Sequence, residues 1–164
     1  MAIRRIVQLG DPLLRQTSAP VSGRADSTLA GLRDTLHEFQ RTHGFGRGIS
    51  AVQIGRLERI IYIEIAGQSY SLINPEFTWR SDELFTLWDD CFSFPQIMVK
   101  LQRHRRVALK YTDETGAPRT LEAEDAFAEL LQHELDHLDG VLALDRALDN
   151  DSLATREEWQ RRYA

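Results

Sequence analysis

The stretch Asp125-Ala-Phe-Ala-Glu-Leu-Leu-Gln-His-Glu-Leu-Asp-His-Leu-Asp139 is the strongest constraint on how this chain can fold. It contains no Gly or Pro and carries Phe127, Leu130, Leu131, Leu135 and Leu138 around much of its circumference, the pattern of a helix buried on most sides. Gly140 follows as a C-terminal stop. Within that apolar frame stand His133, Glu134 and His137. Residues four apart on a helix lie one above the other, so both imidazoles can reach a single cation. Glu134, one position further round, is placed to take a proton from a water that the cation activates. Two imidazoles and a carboxylate on a buried helix are costly to desolvate unless paired or coordinated, so a metal-binding helix is expected at the centre of the fold. The third ligand must come from elsewhere, and the only cysteine, Cys91, is the candidate.

At 164 residues the chain suits one sizeable core and is short for two, so residues 1–164 are expected to form a single catalytic domain. The net charge of −5 argues against a nucleic-acid binder, which would carry a basic surface. Arg103-His104-Arg105-Arg106 is the only compact basic run, and the alternation of Val107, Leu109 and Tyr111 after it assigns it to the solvated start of a strand. No apolar stretch is long enough to cross a bilayer, and the N-terminus lacks the apolar core of a secretory signal. A cytoplasmic protein is expected, with Cys91 reduced and free to ligate.

No internal repeat or low-complexity segment interrupts the chain. Residues 1–24 read as mostly irregular, with Ser27 as N-cap of a first helix whose apolar stripe is Leu29, Leu32, Leu36 and Phe39. Short β-rich runs follow at residues 60–65, 70–73, 84–88 and 107–111, with turns at Ala66-Gly67 and Asp113-Glu-Thr-Gly116. Thr155-Arg-Glu-Glu158 is a capping box for a short terminal helix. The expected fold class is α+β, a mostly antiparallel sheet packed around the metal-binding helix.

Two further segments fit ordinary secondary structure poorly. Gly46-Arg-Gly-Ile-Ser-Ala-Val-Gln-Ile-Gly55 lets backbone approach a ligand closely and contains Gln53, whose amide can donate to an oxyanion. Asp89-Asp-Cys-Phe-Ser-Phe-Pro95 places Cys91 after two carboxylates. In this order, with Gln132-His-Glu-Leu-Asp-His-Leu-Asp-Gly140, the three segments resemble the signature motifs of the peptide deformylase family. Asp11-Pro-Leu-Leu-Arg15 resembles the family's N-terminal pattern, so the resemblance spans most of the chain. It implies that Cys91, His133 and His137 hold one divalent ion. Ferrous iron is the family's usual choice, and zinc, nickel or cobalt suit the same ligands. It further implies that Glu134 is the general base, that Gln53 and the Phe92 backbone N–H stabilise the developing oxyanion, and that Gly48 aligns an extended N-formyl peptide. Formate and a free amino terminus would result. The C-terminal arginines of Trp159-Gln-Arg-Arg-Tyr163 suit a transient ribosome contact of the kind some relatives make.

Three departures stand near the site. The family pattern has a small aliphatic residue at the position of Arg47 and an apolar pocket residue at that of Glu129, one helical turn before His133. A cation and an anion there either pair and reshape the substrate pocket or turn outward into water. The third is Asp89-Asp90 where the family usually has Glu-Gly; Asp89 is placed to orient an arginine, with Arg103 as the candidate, while the added charge of Asp90 opposes a thiolate unless a cation offsets it. A deformylase-like amidase for another N-acyl peptide or small amide is therefore the alternative function. A general zinc endopeptidase is disfavoured by the upstream cysteine ligand, and a non-catalytic binding module by the complete set of ligands and base.

Overall fold

The computed structural model describes residues 1–164. The first helix, α1 (Asp26–His43), buries Leu29, Leu32, Leu36 and Phe39 along one stripe and ends at Gly44, whose φ of 78° lets its N–H return to Gln40 O. It begins one residue before the expected cap: Ala25 is the N-cap, no side chain caps the first turn, and Ser27 lies inside the helix. Two antiparallel sheets follow. The larger has the order β1-β2-β3-β6-β7, formed by β1 (Gly48–Ser50), β2 (Ile60–Ile65), β3 (Gln68–Arg80), β6 (Arg106–Thr112) and β7 (Pro118–Glu124). The smaller has the order β4-β5-β8, formed by β4 (Leu84–Asp89), β5 (Ile97–His104) and β8 (Leu153–Thr155).

A nearly continuous apolar run, buried on both faces from Ile60 to Ile63, gives β2 the bounds expected, but β3 runs well past residues 70–73. The register shift between Ile73 and Glu76 accommodates Pro75, which cannot donate to a ladder, and Asn74 at φ 50°; a second shift falls between Phe77 and Trp79. The basic run is also placed differently. Arg103 and His104 close β5, Arg105 forms the turn and Arg106 opens β6; far from being solvated, the Arg103 side chain is 3% exposed and paired to Asp89 and Asp136. In β5, Val99, Leu101 and Arg103 face inward while Lys100 and Gln102 face out, so a buried ion pair completes an apolar alternation.

Helix α2 (Asp125–Leu138) packs against β1, β2, β6 and β7 of the larger sheet and β5 of the smaller. Residues 128–135 are buried without interruption, so α2 is covered on every side, as its apolar circumference requires. Full burial of Leu131 and Leu138 contributes about 2 kcal/mol each by the usual area relation. Thr155 caps the short terminal helix α3 (Arg156–Arg162), its hydroxyl accepting from Glu158 N–H. No helix is long and apolar enough to cross a membrane.

Candidate metal centre

One turn of α2 separates His133 from His137 and sets their ring centroids 5.0 Å apart. The end of β4 carries the chain across α2, so that Cys91, two residues past the strand, brings its Sγ to 3.3 Å from His137 Nε2. One donor atom each of Cys91, His133 and His137 lies within 4.8 Å of the other two, and all three residues are buried. His133 Nδ1 donates to Asp89 Oδ2 at 2.9 Å, which leaves Nε2 for the centre and fixes the ring's orientation. Asp89 in turn accepts from Arg103 Nη2 at 3.3 Å, and Arg103 Nη1 reaches Asp136 at 2.6 Å. A sulfur and two imidazole nitrogens suit iron, zinc, nickel or cobalt, and three ligands leave room for reactants. These residues therefore fit a divalent ion.

Burial shapes the ionisable groups around this cluster. It would raise the Asp89 carboxyl, but the charge and hydrogen bond of His133, with Arg103 behind, bring it down to about 2. His133 is opposed by burial, yet Asp89 and Cys91 raise it well above the ordinary imidazole range. Burial and the neighbouring His133 hold His137 well below that range. Burial raises Glu134, and His133 and Ser50 temper the effect. A cation competes with the proton of His133, because a ligating imidazole must present a free lone pair.

Glu134 Oε2 accepts from Ser50 Oγ at 2.6 Å, so the end of β1 holds the carboxylate. Gln53, in the 3-10 turn after β1, accepts from Ser50 N–H through Oε1. This orients its Nε2 toward Ser93 Oγ at 3.2 Å and Cys91 Sγ at 3.6 Å. The Phe92 backbone N–H donates to no protein group. Gly48 is on β1, the strand at the edge of the larger sheet, where a Cβ would stand 3.1 Å from Leu130 Cδ1 and 3.2 Å from Glu134 Oε1. All these groups, apart from the hydroxyls behind them, face one cavity of about 380 Å³.

The family model described as polypeptide deformylase matches residues 3–152. The chain belongs to the peptide deformylase family. A peptide deformylase of Bartonella tribocorum is 37% identical over 152 residues, covering 88% of this chain and 84% of the relative. One of Treponema pallidum is 36% identical over 156 residues, covering 95% and 93%. The crystal structure of the Thermotoga maritima peptide deformylase superposes with a TM-score of 0.84 at 31% identity, covering 91% of this chain and all of that one. That of a Synechococcus elongatus peptide deformylase in complex with actinonin gives 0.82 at 31%, covering 93% and 82%.

Against that deformylase background, Arg47 and Glu129 pair with each other: Arg47 Nη2 lies 2.8 Å from Glu129 Oε2, with the carboxylate side chain 4% exposed and the guanidinium side chain 43%. Both line the cavity. Glu129 also stands with Asp89 and His133 in a second set of donor atoms within 4.8 Å. Burial, then the charge of Asp89, raises its carboxyl to about 7 against the opposing pull of Arg47 and His133. Ser50 and Ser93 were not legible as site residues, because short hydroxyl residues give no signal until their partners are known. Asp89 does orient Arg103; its bond to His133 is an addition that only the fold supplies.

Proposed function

We propose that this chain removes the N-formyl group from N-formylmethionyl peptides of nascent proteins, releasing formate and a free amino terminus. One observation carries the reading: the donor atoms of Cys91, His133 and His137 converge within 4.8 Å, and Cys91 and His133 line the cavity that also presents Glu134 and Gln53. Cys91, His133 and His137 are the proposed ligands, with ferrous iron as the ion and zinc, nickel or cobalt suited to the same donors. Once bound, the ion supplies Lewis acidity, making water a competent nucleophile near neutral pH. Glu134 takes the proton of the attacking water and delivers it to the departing amine nitrogen, its carboxylate held by Ser50. The Gln53 amide and the Phe92 N–H donate to the oxygen that gains charge at the tetrahedral carbon. The backbone of Gly48 aligns the peptide along the open edge of β1. Residues 1–164 are read as one catalytic domain working in the cytoplasm, with the outward face of α3 as the candidate ribosome contact.

Formate release from formyl-Met-Ala-Ser by the iron-loaded protein under anaerobic conditions tests this. Glu134→Ala is expected to keep its metal and lose activity by about a hundredfold or more. Bound metal with no formate from any formyl peptide would remove the reading.

The Arg47–Glu129 pair favours a second reading, in which the same chemistry acts on another N-acyl peptide or small amide. An ion pair in the cavity wall leaves less apolar area for a methionine side chain, and covering it would strip water from charge. Turnover of formyl-Met peptides compared with formyl-Asp and formyl-Lys peptides separates the two. A strong preference for formyl-Met would exclude the second.

A further inference from the structure

Beyond the residues that the family model matches, Arg156 reaches back to Asp90, which lines the cavity. It opens α3, and its side chain is 16% exposed. Nη2 donates to Asp90 Oδ2 at 2.6 Å and Nε to the Pro95 carbonyl at 2.7 Å, while the backbone N–H is held by Gln96 O. The guanidinium carbon sits over the Phe45 ring, 4.2 Å from its centroid. Phe45 meets Phe39 edge-on at 5.2 Å, and Phe39 stacks on Phe92 at 3.7 Å. Asp90 and Phe92 are the two neighbours of Cys91 in the chain, and both line the cavity together with Phe45.

We propose that Arg156 is a positioning residue that clamps the Cys91 segment from both flanks. One arm is the ion pair to Asp90; the other is the aromatic relay through Phe45 and Phe39 to Phe92. The C-terminal segment is thereby a working part of the site, and Arg156 is the cation that offsets the carboxylate placed beside the sulfur. A guanidinium suits the position because its face covers a ring while its edge donates to Asp90 and Pro95 together, a geometry an ammonium cannot reproduce. The kinetic part of this inference rests on the proposed deformylase activity; the metal-release part does not.

The test uses the full chain loaded with zinc, comparing wild type with Arg156→Ala, Arg156→Lys, Phe45→Leu and the double variant Phe45→Leu/Arg156→Ala. Zinc transfer to a chelator is expected to be about tenfold faster in Arg156→Ala, with kcat/KM for formate release about tenfold lower, the scale of one lost cation–π contact. Arg156→Lys should fall between, and the double variant should be no worse than Arg156→Ala, since both changes break one relay. A wild-type rate of zinc transfer in Arg156→Ala, or effects that add in the double variant, would overturn the clamp. Should Arg156→Ala fail to fold, Arg156→Lys and Phe45→Leu each weaken one arm, and wild-type zinc transfer in both would overturn it equally. A wild-type protein that releases no formate defeats the functional reading, and the zinc rates then judge the clamp alone.

Discussion

Ser50 Oγ donates to Glu134 Oε2 at 2.6 Å, joining the last residue of β1 to the carboxylate beside the proposed metal ligands. Both residues are buried, so water does not replace this bond when it is lost. Ser50→Ala is expected to lower kcat about tenfold or more, the cost of one hydrogen bond to a buried charge, while metal content stays at the wild-type value. Steady-state kinetics with metal analysis checks this. A kcat within about twofold of wild type would show that Glu134 is held by other means.

Asp89 supports His133 from behind, and in the proposed role its charge would make the imidazole a better ligand. Asp89→Asn keeps an acceptor for Nδ1–H but removes the charge. Metal affinity, measured by competition with a chelator, is expected to fall about tenfold. Arg103 retains Asp136, so the fold should persist. Unchanged affinity would mean that the helix alone orients the ring.

Gly140 follows the C-cap of α2 with φ at 72°, and a Cβ there would collide with the Arg15 carbonyl oxygen. The obstacle is backbone, not the end of a flexible side chain. Gly140→Ala is expected to cost about 2–4 kcal/mol through left-handed strain plus backbone displacement. In a chain of this size that lowers the thermal midpoint by roughly 4–16 °C. Calorimetry showing no shift would mean the N-terminal segment moves aside freely.

Acid stability has a contributor at Asp145. Burial opposes its ionisation, but the Leu142 N–H and Arg15 hold the carboxyl below the ordinary range. A depressed carboxyl stabilises the folded state above its unfolded pKa, near 3.9, and that contribution fades as pH falls through the lower folded value. Wild type should therefore exceed Asp145→Asn in thermal midpoint at neutral pH, with the gap closing as pH falls below the ordinary aspartate value, near 3.9. A gap constant across the acid range would assign the effect to packing.

Local pattern by itself determined α2, β2 and the cap at Thr155, because apolar period, spacing of the two histidines and capping chemistry are properties of neighbours in the chain. It also brought Cys91, Gln53, Glu134 and the two histidines under suspicion, through residue type and motif. Tertiary structure alone decided that the sulfur meets a helix 46 residues away, and that Arg47 finds Glu129 across 82 residues when the alternative was to face water. It also decided that Arg103, which reads as a surface charge, completes the inward face of β5. The physical reason is common to all three: a buried charge or thiol is tolerable only with its partner, and that partner is supplied by packing between distant segments, to which local periodicity is blind.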